Sequence, residues 1–181
     1  MSTTPENWQW RAGPVAPGPT VVFDMDGVLS NASDRQHHIA NRDWNAFFEA
    51  CGDDEVIHEL ARLLSLLASD LHVVLLTARP LRVRPQTLEW LARHELRWDL
   101  LCMREDRSGQ EAWEFKQRTV GELREFGLDL VLAFEDDRKN ADMFHGEGIP
   151  CVYTSTRGIT SNSRVSRGSF RTAAEFRDRL L

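Results

Sequence analysis

Apolar positions in this chain fall in two rhythms, short unbroken runs and longer stretches with helical spacing. Residues 21–23, Val21-Val22-Phe23, follow the turn-forming Pro17-Gly18-Pro19 and read as a strand buried on both faces, as in a parallel sheet. Residues 72–77, 98–103 and 128–134 repeat the pattern, and 150–153 make a fifth, peripheral strand. Between them lie helices. Val56, Ile57, Leu60, Leu63, Leu64 and Leu67 form one apolar stripe behind Asp53 and Asp54, which are placed to cap it. Pro85 opens a helix carrying Leu88, Leu91 and Ala92, and residues 110–126 form another, stopped by Gly127. Short helices follow at 41–48, within the first interval, and at 139–145. The alternation predicts an α/β fold, a Rossmann-like doubly wound parallel sheet of about five strands with helices on both faces.

The remaining segments carry little periodicity. Residues 1–19, with Pro5, Pro14, Pro17 and Pro19, read as a flexible arm from which Trp8 and Trp10 can dock onto the body. Residues 20–181 read as a single domain. Within it, 30–52 form a flap over the tip of the first strand, and 155–181 a basic C-terminal extension in which Thr172-Ala173-Ala174-Glu175 caps a terminal helix.

A content of 41% hydrophobic and 28% charged residues over 181 positions supports one sizeable core and excludes general disorder. The formal net charge of −6 argues against broad, sequence-blind coating of nucleic acid, but leaves room for a local basic groove. Cys51, Cys102 and Cys151 are odd in number and widely spaced, so neither a disulfide framework nor a zinc ribbon is implied. Reduced thiols, no signal pattern and no run of ~18 apolar residues give the expectation of a cytoplasmic protein without membrane contact.

The chemistry gathers at the strand ends. The first ends in Asp24-Met25-Asp26-Gly27, two carboxylates where ligands of open α/β sheets sit, and their mutual repulsion calls for a cation. Alone, that motif serves equally as a capped turn. The second strand ends in Thr77-Ala78-Arg79, the fourth in Glu135-Asp136-Asp137, and Lys116 lies on the helix between. Singly, these are a β former, solvated cations and an acidic loop. Together they are the parts for handling a phosphate: a carboxylate nucleophile, a second carboxylate to carry a proton, a hydroxyl and cations for phosphoryl oxygens, and acids for a metal ion. No G-x-x-x-x-G-K-[ST] loop occurs, so any kinase is a separate partner.

The ordered set Phe23 to Leu29, Leu75 to Arg79, Phe115-Lys116 and Phe134 to Asp137 resembles the four motifs of the haloacid dehalogenase-like (HAD) phosphatases, over roughly residues 20–154. Within that superfamily the chain is similar to the phosphatase half of bacteriophage polynucleotide kinase, through Met103-Arg104-Glu105, Lys116, and Ala133 to Asp136 leading to Asp142-Met143-Phe144. The resemblance implies that Asp24 attacks phosphorus to form an aspartyl-phosphate, while Asp26 first protonates the leaving oxygen and then activates water. It implies Mg²⁺ held by Asp24, the backbone carbonyl of Asp26 and Asp136, with Glu135 and Asp137 as further acids whose register stays open. Thr77 and Lys116 would hold the transferring oxygens, and Arg79, Arg35, Arg104 and Gly27 would contact substrate.

Short intervals between the motifs imply a minimal cap and an open site. Such a site suits a nucleotide or a polynucleotide 3′-phosphate end, with a separate kinase or ligase as partner; the alternative is a small phosphorylated metabolite. A signalling receiver domain shares these residue types but places its phosphorylated aspartate after the third strand. A non-catalytic phosphate-binding domain is disfavoured because every chemical position is filled. The oligomeric state is left unassigned by the sequence.

Overall fold

The run Val21-Val22-Phe23 lies in an inner strand with parallel neighbours on both sides, which is why no polar residue interrupts it. The computed structural model describes residues 4–106 and 109–154. In chain order they form β1 (Trp8–Trp10), β2 (Gly18–Phe23), β3 (Ser30–Asn31), α1 (Gln36–Ala40), α2 (Trp44–Glu49), β4 (Glu55–Val56), α3 (His58–Leu66), β5 (His72–Pro80), α4 (Arg84–Arg93), β6 (Leu100–Arg104), α5 (Ala112–Phe126), β7 (Leu128–Glu135), α6 (Arg138–Gly146) and β8 (Cys151–Tyr153). The main sheet has the order β1-β6-β5-β2-β7-β8, all parallel except β1. It is an α/β fold whose main sheet has six strands, one more than the sequence pattern gives, with β3 and β4 paired in a separate small sheet.

Alternation along β2 sorts the two cores. Val21 and Phe23 join Leu64, Trp90, Leu91 and the flap residues Phe47 and Phe48 on one face, whereas Val22 joins Phe115, Leu123, Phe144 and Trp8 on the other. Phe23 stacks on Phe134 of the neighbouring strand at 4.5 Å. Burial of these faces is the main source of stability and fixes the strand register, since a slip of one residue would exchange the two cores.

Two expectations need correction. Residues 8–10 of the supposed flexible arm are the sixth strand, paired antiparallel to β6, with Trp8 buried and packed edge-on against Phe126 at 5.9 Å. The arm covers a sheet edge that would otherwise expose unpaired backbone groups, and Asn7 adds a side-chain bond to the Met103 carbonyl. Asp53 and Asp54 do not cap the following helix, which starts at His58 without a side-chain cap. Asp53 closes a short 3₁₀ turn, and Asp54 is drawn inward by two buried arginines.

Helix α5 begins with a reciprocal capping box between Glu111 and Glu114 and ends at Gly127 with φ of +104°. This fixes the point from which Lys116 reaches the strand tips. The terminal helix expected near Thr172 to Glu175, and the rest of the basic extension, lie outside the described residues. Among the described residues no helix is long and apolar enough to cross a membrane.

Candidate active site

Asp24 follows β2 directly, and its N–H donates to the Phe134 carbonyl at 3.0 Å, keeping the tips of β2 and β7 in step. Lys116 arrives from α5 between them. Its Nζ lies 2.9 Å from Asp24 Oδ1 and 2.5 Å from Glu135 Oε2, all three groups being buried. The second Glu135 oxygen accepts the N–H groups of Asp136 and Asp137 at 3.2 Å each. Glu135 is thus occupied on both sides, holding Lys116 and shaping the loop after β7. Asp137 caps α6, its Oδ1 accepting the N–H groups of Lys139 and Asn140. Of the three consecutive acids, Asp136 alone accepts no described hydrogen bond.

Carboxylate oxygens of Asp24, Glu135 and Asp136 lie within 4.8 Å of one another. Burial pushes the Asp24 carboxyl well above its ordinary value, and Glu135 adds repulsion that Lys116 only partly offsets. Asp136 is pushed up to about 7, first by burial and then by Glu135. Burial works against the Lys116 cation too, but Asp24 and Glu135 outweigh it and keep the ammonium charged. The cluster carries more negative charge than its one lysine balances.

Asp26 stands in a different field. Its Oδ1 accepts from Arg35 Nη2 at 2.5 Å, Arg79 Nη2 at 2.6 Å and Arg79 Nε at 2.9 Å. Burial raises its pKa, yet the two guanidiniums outweigh that effect and hold the carboxyl below the usual range. Both arginines also bond Asp54, which Ser30 Oγ joins, and Arg79 Nη2 donates to Ser30 Oγ at 2.9 Å. Both arginines use Oδ1, leaving Asp26 Oδ2 free of them.

A crevice of about 510 Å³ gathers Asp24, Asp26, Gly27, Thr77, Lys116, Glu135, Asp136 and Asp137. The flap supplies its other wall through Ile39, Trp44, Phe47 and Phe48. Thr77 is buried at the point where β5 slips its register with β6, and its Oγ1 accepts the Arg79 N–H at 3.2 Å.

Of the four substrate contacts expected from sequence, Arg79 and Arg35 are turned inward. Arg79 is 0% and Arg35 2% exposed, and both guanidiniums are engaged by Asp26 and Asp54 rather than open to a ligand. Arg104 lies outside the crevice lining, with Nη1 donating to the Gln110 carbonyl at 3.5 Å. Gly27 lines the crevice and also makes room for Asp136. Sequence reasoning missed Asp54 and Ser30. The only signal for Asp54 was an acidic pair, Asp53-Asp54, which reads equally well as a helix cap.

A family model described as the phosphatase domain of polynucleotide kinase PNKP matches residues 18–157. Among solved structures, the chain is similar to one from the Pnkp1/Rnl/Hen1 complex, with 21% identity and a TM-score of 0.66 over 84% of this chain and 50% of that one. It is similar to the class C acid phosphatase of Bacillus anthracis with tungstate bound, at 16% identity and a TM-score of 0.52, covering 71% of this chain and 56% of that. A haloacid dehalogenase-like protein of Streptococcus pneumoniae, SP0104, follows at 12% identity and a TM-score of 0.55, over 74% of this chain and 83% of that. At such identities the likeness is one of fold. No curated protein matches the chain. The chain spans about half the length of the Pnkp1/Rnl/Hen1 chain it resembles.

Proposed function

The chain belongs to the family of the polynucleotide kinase PNKP phosphatase domain, a HAD-type phosphatase family, and from that premise we propose that it removes the phosphate from a nucleotide or polynucleotide 3′ end in a Mg²⁺-dependent reaction. The observation that carries this reading is the Asp24–Lys116 pair at 2.9 Å, with Asp26 and Asp136 in the same crevice.

In the first half-reaction Asp24 attacks phosphorus, the P–O bond to the sugar breaks, and Asp26 gives its proton to the leaving oxygen. In the second, Asp26 takes a proton from water, which displaces Asp24 and releases inorganic phosphate. The arginines that hold Asp26 below the usual carboxylate range suit it to the second role. For the first it must gain a proton, and an arriving phosphate dianion favours that by repelling its charge. Lys116 offsets charge on the nucleophile and the transferring oxygens, and the Thr77 hydroxyl adds a donor to them.

The donor set fits Mg²⁺, a hard cation that prefers oxygen ligands. Unbalanced negative charge at Asp24 and Asp136 is what such a cation would neutralise. Asp24, Asp136 and the Asp26 carbonyl would hold it, since Glu135 and Asp137 are committed elsewhere. When bound, Mg²⁺ supplies the positive charge that lets a carboxylate approach a phosphate. A separate kinase or ligase is proposed as partner, supported by the likeness to a chain of an RNA repair complex.

Phosphate release from nucleotides, 3′-phosphorylated oligonucleotides, sugar phosphates and phosphopeptides, with Mg²⁺ and with chelator, tests the reading. Mg²⁺-dependent release from the oligonucleotide is expected. Efficient release from a sugar phosphate with none from the oligonucleotide contradicts it.

A further inference from the structure

Trp44 is 53% exposed, an unusual setting for the largest apolar side chain, and it lines the same crevice as Asp24 and Asp26. Its indole is backed rather than loose. It packs edge-on against Phe47 at 5.9 Å and at a shallow tilt of 30° to Phe48 at 6.3 Å. Phe47 in turn lies beneath the Arg35 guanidinium at 4.2 Å, which ties this wall to Asp26. An aromatic face held rigid and partly open, beside a phosphate-handling centre, suits the π-face of a nucleobase.

The next residue continues the path. Asn45 Oδ1 accepts from Arg82 Nη2 at 2.9 Å, and the Arg82 N–H donates to Asp106 Oδ1 at 2.8 Å. Arg104 sits close by, because its strand partner is Pro80, two residues before Arg82. The described bonds of the two side chains go to neutral oxygens, Asn45 Oδ1 and the Gln110 carbonyl, and neither forms an ion pair among the described residues. Burial and then the charge of Arg82 lower the pKa of Arg104, as expected of two cations that lack an anion between them. In a chain of net charge −6 such a pair is a local feature, outside the crevice lining and joined to the residue after Trp44 by the Asn45–Arg82 bond.

We propose that Trp44 is a stacking platform for the nucleobase beside the phosphate being removed, and that Arg82 and Arg104 hold the following phosphodiester of a single-stranded polynucleotide. This rests on the polynucleotide-end reading above and deepens it. A mononucleotide reaches the platform only; a longer strand reaches the arginines as well.

The test compares kcat/KM for a 3′-phosphorylated oligothymidylate with kcat/KM for p-nitrophenyl phosphate, taken as a ratio within each protein so that general damage cancels. Trp44→Ala is expected to lower the ratio about tenfold, through KM for the oligonucleotide, while Trp44→Phe keeps it within about threefold. Joint replacement Arg82→Ala and Arg104→Ala is expected to flatten the salt dependence of oligonucleotide binding by about 0.7 in log–log slope, the contribution of the one phosphate the pair holds. An unchanged ratio in Trp44→Ala overturns the platform, and an unchanged salt slope overturns the phosphodiester site. Wild-type turnover of the small ester with none of the oligonucleotide overturns the polynucleotide reading itself, a distinct result.

Discussion

The carboxylate of Asp136 occupies the space that a side chain on residue 27 would need: a Cβ built on Gly27 would lie 1.9 Å from Asp136 Oδ2. The backbone there also has φ of +81°, a region that glycine enters freely and other residues do not. Two distant motifs therefore interlock through the absence of one methyl group. Gly27→Ala should move Asp136 away from Asp24 and raise the Mg²⁺ concentration for half-maximal phosphate release by about tenfold or more. A displacement of roughly 1 Å is enough to lower kcat/KM by about 100-fold. A Mg²⁺ titration of the purified variant checks this, and a wild-type midpoint would show that Asp136 is not a ligand.

Lys116 is buried between Asp24 and Glu135. Lys116→Met leaves both carboxylates without their cation, and breaking a buried pair in this way costs about 3–5 kcal/mol. Urea unfolding should show a loss of that order alongside loss of phosphatase activity. Full stability in the variant would mean that solvent or a cation already balances the two acids.

The Asp26 carboxyl is held below its usual range by Arg79 and Arg35 against the opposing effect of burial. A depressed folded pKa contributes stability above the unfolded value, about 4 for an aspartate, and that contribution disappears as pH falls through the folded value. Arg79→Met should therefore be destabilised most at neutral pH, with the gap to wild type narrowing below about pH 4. Denaturant midpoints across that range measure the gap. A gap that widens on acidification would contradict the assignment.

Metal-free protein should behave in the opposite sense at Asp136, whose carboxyl is pushed up to about 7. Between the ordinary aspartate value and that value the folded state binds more protons than the unfolded, so stability falls as pH rises through this window. Mg²⁺ binds the ionised acids, so its thermal stabilisation should be larger near pH 8 than near pH 5.5, reaching about 2.7 kcal/mol at a hundred times Kd. Melting curves with Mg²⁺ and with chelator at both pH values decide it. No Mg²⁺ shift at the higher pH would remove the metal from the site.

How much of this was legible in the sequence depended on how local the cause was. The inner strands were, because burial on both faces leaves an unbroken apolar run such as Val21-Val22-Phe23. Helix α5 was, because Gly127 and its apolar spacing are local signals. Strand β1 was not: Trp8-Gln9-Trp10 pairs only because β6 offers an edge across the fold. Asp54 illustrates a conflict of signals, since a surface acid before an apolar stripe reads as a cap until two arginines from distant segments are brought beneath it. The same distance hid the engagement of Arg35 and Arg79 with Asp26. Residues at the strand tips were legible as a set, whereas the partner of each side chain was a property of the fold.

The central claim is that Asp24 is the nucleophile. Acid quenching of wild-type protein turning over a 3′-radiolabelled phosphorylated oligonucleotide in Mg²⁺, followed by peptide mapping, measures it directly. Label should appear on the peptide carrying Asp24, and Asp24→Asn should lose both label and phosphate release, the latter by more than ~10³-fold. Undiminished phosphate release from Asp24→Asn would contradict the claim outright.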